Sequence, residues 1–167
     1  MSSPRDTLLR KFAADLGLDP AEAIVAVPKY EPTVEHDGQL FVSGQIPRLR
    51  GEVAVVGRIG AETDIEAGRQ AARLCVVRAL MAVRQSAGTL ERVQRVLRMN
   101  VYLRCAAEFA ALSEVADAAS EILYAVFKPD GGHTRTTVGV LQLPKNAAVE
   151  LDLLVALRPP ERSYSTF

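Results

Sequence analysis

Every second residue from Val149 to Leu157 is a large aliphatic: Val149, Leu151, Leu153, Val155 and Leu157. Glu150 and Asp152 fall on the other side of that alternation. A period of two means an extended strand with one face buried in a core. Upstream, Arg135 lies in a second short apolar strand, and Pro144-Lys145-Asn146 forms a turn between the two. This order predicts two strands joined by a turn, with Arg135 and Glu150 on neighbouring strands and lining one cleft. The plainer outcome is a hairpin with a surface ion pair, which contributes at most about 1 kcal/mol.

The rest of the chain supplies what such a strand packs against. Ser3 followed by Pro4 starts a helix, Leu8, Leu9, Phe12, Ala13 and Leu16 give it an apolar stripe, and Gly17 stops it. Pro20, Pro28 and Pro32 make residues 18–38 mostly irregular, with room for a short strand at 23–27. Leu40 to Gly44 is a strand, and another is expected around Val53 to Val56. Thr63-Asp64-Ile65-Glu66 has the form of a capping box before a long helix, roughly 64–86. Gly68, Ala71, Cys75, Ala79, Ala82 and Val83 share one face of that helix, and their small size lets it lie close to a sheet. Val93 to Leu103 alternates as a strand, with Val93, Leu97, Met99, Val101 and Leu103 inward; Arg95 and Val96 break the pattern. Phe109, Leu112, Ala116, Ala119, Leu123 and Val126 mark a second long helix, ended by Pro129-Asp130-Gly131-Gly132. The tail from Pro159 is polar and expected to be loose. The fold class is therefore α+β: a mixed sheet with both long helices on one face.

Length and composition bound the function. A chain of 167 residues suits one domain, and 49% hydrophobic residues provide a sizeable core. Twenty basic and twenty acidic side chains cancel, which argues against nucleic acid as a partner. Cys75 and Cys105 sit in apolar contexts and read as two buried free thiols of a reducing, cytoplasmic compartment. With His36 and His133 the only histidines, no metal-ligand cluster is expected. The first residues lack a signal-type apolar run, and no stretch approaches the roughly twenty apolar residues of a membrane span, so a soluble protein is expected.

Three pieces of sequence add specificity. Tyr30 stands thirteen residues before Ser43-Gly44-Gln45-Ile46-Pro47; the long helix carries Gln70-Ala71-Ala72; and Arg135-Thr-Thr-Val-Gly-Val-Leu-Gln-Leu-Pro-Lys-Asn-Ala-Ala-Val-Glu150 closes the set. Together they resemble the Rid (YjgF-type) reactive-intermediate deaminases. The resemblance runs from Tyr30 to about Leu157, so residues 30–157 are the core of a single Rid-like domain and 1–17 an N-terminal helical extension. It implies a chorismate-mutase-like protomer, a homotrimer with clefts between subunits, and no cofactor. It also implies hydrolysis of 2-imino or enamine acids, such as 2-aminoacrylate, to 2-keto acids and ammonia. By the same resemblance Arg135 binds the substrate carboxylate with two parallel hydrogen bonds and Glu150 orients or deprotonates the attacking water. Tyr30 positions the substrate, and Ser43, Gly44 and Thr137 line the pocket.

Some positions depart from the family pattern. Thr137 stands where cysteine is frequent, and His133 where proline is common; His133 reads as a structural histidine sooner than a pH-sensitive one. The N-terminal helix and the longer stretch before Arg135 indicate a divergent branch. Two other readings compete: a non-catalytic module binding a small carboxylate, and an endoribonuclease. Zero net charge and the lack of a histidine pair for acid–base cleavage count against the last.

Overall fold

The computed structural model describes residues 3–25 and 29–159. Helix α1 (Pro4–Asp15) begins as its sequence requires: the Ser3 hydroxyl accepts from the Asp6 amide at 3.1 Å. Leu9 and Ala13 are buried, while Leu8, Phe12 and Leu16 pack against the core from its margin. The stretch 23–25 forms no strand. Instead the Gln85 amide brackets Ile24, accepting from its N–H at 2.9 Å and donating to its carbonyl at 3.2 Å. The rest of the expected 23–27 strand lies outside the described residues, as does the polar tail beyond Pro159.

Strand β1 (Thr33–His36) lies in the stretch expected to be irregular and pairs with β2 (Gln39–Gln45), where a strand was expected, as a hairpin. Its turn is Asp37-Gly38, both at positive φ (48° and 72°), the two-residue geometry that matches strand twist. The strand expected at 53–56 is much shorter. β3 (Arg48–Leu49) and β4 (Glu52–Val53) form a separate two-stranded ribbon.

Helix α2 (Ile65–Ala87) is capped by Asp64, not Thr63: its Oδ1 accepts from the Ala67 N–H at 2.7 Å. The expected capping box is therefore an Asp cap, and Glu66 turns outward to Arg69 and Arg73. Every residue from Leu74 to Val83 is buried, because α2 is covered by the sheet on one side and by α1 and α3 (Leu112–Phe127) on the other.

Strand β5 (Val93–Arg104) is followed by α3 and then by β6 (Thr134–Val140), which pairs with β5 in parallel. β7 (Val149–Leu157) pairs antiparallel with both β5 and β2, giving one five-stranded sheet in the order β1-β2-β7-β5-β6. The long helices share one face. Register shifts near Gln94 and Leu97 explain the broken pattern in β5: Val96 is buried in place of Leu97. The alternation of β7 is as regular as its sequence, with Val149 through Leu157 buried at every second position. Cys75 is buried and Cys105 partly so, both as free thiols. Among the described residues no helix is long and apolar enough to cross a membrane.

Candidate active site

β6 and β7 are not neighbours, because β5 lies between them. Arg135 and Glu150 are also on opposite faces of the sheet. Arg135 pairs in register with Met99, a core residue beneath the helices, whereas Glu150 pairs with Tyr102 on the other face. The expected shared hairpin cleft is therefore absent within one chain. The sequence order suggested it because the turn at 144–146 is short; the parallel β5-α3-β6 crossover leaves only the far side of β5 for β7.

Glu150 stands between buried Val149 and Leu151 at the start of β7, beside the bulge that interrupts β2 between Val42 and Gln45. Gly44 is the local reason it fits. A Cβ at that position would overlap the Glu150 carboxylate, whose Cδ would lie only 2.9 Å away. Burial raises the Glu150 pKa above the usual carboxylate value, and the charge of Asp152 raises it further. Asp152 is held two residues along by the Asn100 amide at 2.8 Å and the Tyr102 hydroxyl at 3.1 Å. Burial, followed by Asp152, also raises the Tyr102 pKa.

The carboxylate opens onto a cleft of about 410 Å³ where β2 ends and β7 begins. Gly44, Gln45 and Ile46 form one wall, Pro144 and Lys145 of the turn another. Tyr30, 58% exposed, lines the cleft together with Glu22, Ala23 and Val25, and Arg48 and Arg78 complete it. Of the residues named from sequence, the fold thus gathers Glu150, Tyr30 and Gly44. Ser43 is not in the cleft. Its hydroxyl donates to the Glu31 carbonyl at 2.6 Å and its amide to that of Pro32, so it pins the segment that carries Tyr30. Thr137 is on the helix face of β6, opposite Val101, with a buried hydroxyl that has no partner among the described residues.

Arg135 belongs to a separate cluster. Its Nη1 donates to Asp117 at 2.7 Å and to the Ser120 hydroxyl at 2.9 Å, both on α3. Ser120 also meets His133 Nε2 at 3.0 Å, while Nδ1 lies 3.0 Å from the Gly131 carbonyl. A carbonyl only accepts, so in the neutral ring Nδ1 carries the proton and Ser120 donates to Nε2. His133 thereby braces the start of β6. Sequence reasoning did not select Arg78, Arg48, Lys145, Asp152 or Tyr102. The available signal for Arg78 was one charge inside the apolar run Leu74–Val83. Among the described residues no group of three or more His, Cys, Asp or Glu could hold a metal ion.

The family model described as "YjgF/chorismate mutase-like, putative endoribonuclease" matches residues 9–157. The Trypanosoma cruzi protein TCP17 is 37% identical over 143 residues, covering 85% of this chain and 89% of that protein. A crystal structure of an Agrobacterium tumefaciens protein of unknown function has a TM-score of 0.81 at 30% identity, covering 92% of this chain and 95% of the other. A crystal structure described as "a putative endoribonuclease" from Shewanella oneidensis gives the same TM-score of 0.81 at 28% identity, covering 89% of this chain and 99% of the other.

Proposed function

This chain belongs to the YjgF/chorismate mutase-like family, and from that premise we propose that it hydrolyses small 2-imino or enamine acids to 2-keto acids and ammonia at the Glu150 cleft. The observation that carries the reading is Glu150 itself: a half-buried carboxylate with a raised pKa, over a glycine, at the wall of a cleft sized for a small acid. A base works best when its pKa lies near the working pH, so burial moves Glu150 in the useful direction. In the imine form, Glu150 takes a proton from water as the oxygen bonds to the C=N carbon. The same proton then passes to the nitrogen, which completes the carbinolamine. Glu150 next takes the hydroxyl proton and returns it to the nitrogen as the C=O bond forms and the C–N bond breaks, releasing the keto acid and ammonia. Tyr30 closes the cleft over the substrate, with Gly44 lending backbone and Ser43 holding the Tyr30 segment.

The carboxylate-binding role that the resemblance gives Arg135 requires a second copy, since in its own chain Arg135 lies on the other face of the sheet. A homotrimer with shared clefts is therefore part of this proposal, and Thr137, next on the same face of β6, would line the neighbour's side. The protein would act in the cytoplasm without a cofactor. The test is ammonia and keto-acid release from imino acids generated in place by an amino-acid oxidase. Acceleration over buffer supports the proposal; binding of keto acids without acceleration replaces it with a carboxylate-binding module. RNA cleavage in place of ammonia release favours the endoribonuclease wording of the family description.

A further inference from the structure

Among the described residues Arg78 is the only buried cation. It stands in the middle of α2, flanked by Val76, Val77, Ala79 and Leu80, and is 6% exposed. A buried guanidinium brings five N–H donors out of water and is stable only where acceptors meet them. Among the described residues its one ion-pair contact is long: Nη1 to Glu22 at 3.4 Å, with Glu22 partly exposed. Its Nε is buried and has no partner among the described residues. The same side chain lines the Glu150 cleft, where Arg48 and Lys145 add further positive charge. The cleft thus carries three cations against Glu22 and Glu150, with a planar donor set on its α2 wall that, among the described residues, is met only at Nη1.

From this we infer that Arg78 binds the carboxylate of the substrate from within the chain, on the reading that the Glu150 cleft is the substrate site. A 2-imino acid has its carboxylate one bond from the C=N carbon. Seated on Arg78, it places that carbon inside the cleft that Glu150 also lines. The guanidinium fork offers two parallel hydrogen bonds to such a group, and a lysine ammonium in its place cannot. Arg78 meets the carboxylate from within the chain, and in the shared-cleft reading Arg135 of the partner subunit meets it from across the interface; within its own chain the Arg135 Nη1 is engaged by Asp117 and Ser120.

Calorimetric titration of pyruvate into wild type, Arg78→Lys and Arg78→Met tests the inference, with thermal melts of all three. Replacing a buried ion by an apolar side chain of similar volume is often tolerated, and Arg78→Lys keeps a charge near Glu22. The expected result is at least about a tenfold loss of pyruvate affinity in both variants. KM for imino acids should rise more than kcat falls, and melting should stay near wild type. Methyl pyruvate, which lacks the charge, should bind all three proteins alike. Unchanged pyruvate affinity and KM in the folded variants would overturn the inference while leaving imine hydrolysis in place. Arg78-dependent pyruvate binding in a wild type that releases no ammonia would keep the anion site and remove the hydrolase reading.

Discussion

Glu150 carries the chemistry proposed for this chain, and its environment makes two outcomes measurable. Glu150→Gln keeps size and hydrogen bonding but cannot take a proton, so turnover should fall by about 10² to 10⁴ while keto acids still bind. Its effect on stability should have the opposite sign. A carboxyl whose pKa is higher in the folded state than in the unfolded one binds more protons when folded, so stability falls as pH rises through that window. Ionised Glu150 is a burden at neutral pH, and Glu150→Gln should melt at or above wild type there, with the difference closing in acid. Lower melting of the variant at neutral pH would mean that the carboxylate has a structural partner. Asp152 supplies a further measurement. Its charge contributes to raising the Glu150 pKa, so Asp152→Asn should move the acid limb of the pH–rate profile to lower pH. An unmoved limb would assign it to another group.

At the scale of elements, the cap of α2 separates two readings of one tetrapeptide. Asp64 accepts from the Ala67 amide, so Asp64→Ala should cost about 1 kcal/mol in denaturant unfolding, and Thr63→Ala should be nearly silent. The reverse ranking would restore Thr63 as the cap. Much of the architecture was legible because single faces declare themselves: β7 alternates cleanly, and the small residues of α2 mark where it lies on the sheet. The order of strands was not. Arg135 and Glu150 are close in sequence, and a short turn between two apolar runs has the form of a hairpin. What overrides that form is the crossover through α3, a long-range constraint that no local window contains. β1, and with it the hairpin to the expected β2, was missed for the converse reason. Prolines around it suggested irregular chain, although Asp37-Gly38 is itself a strong turn signal. Of the residues lining the candidate cleft, Glu150, Tyr30 and Gly44 were named by motif spacing, while Arg78 was passed over because helical periodicity scored its neighbours as core.

For the whole molecule, the question is whether one chain is sufficient. The sheet face away from the helices is half open. Phe41 is 50% exposed and Val34 52%, and Val138 is 39% exposed near the far edge on β6. Scattered exposed apolar residues are ordinary, but here they flank a polar band of Arg98, Asn100, Tyr102 and Asp152, as a surface completed by another copy would. Light scattering should give about three times the 18.1 kDa chain mass. Phe41→Glu tests what that assembly does. Phe41 lies outside the Glu150 cleft, on a shallow groove with Asn100 and Asp152, so its replacement leaves Glu150, Tyr30 and Arg78 untouched. If subunits share the cleft, the charge should shift the mass toward one chain and lower turnover together, with each monomer still folded. Arg135→Lys should then weaken keto-acid binding in the trimer and have no effect in the Phe41→Glu monomer, because Arg135 reaches a cleft only across the interface. A fully active monomer would leave the Arg78 side of the cleft sufficient and return Arg135 to a bracing role between β6 and α3.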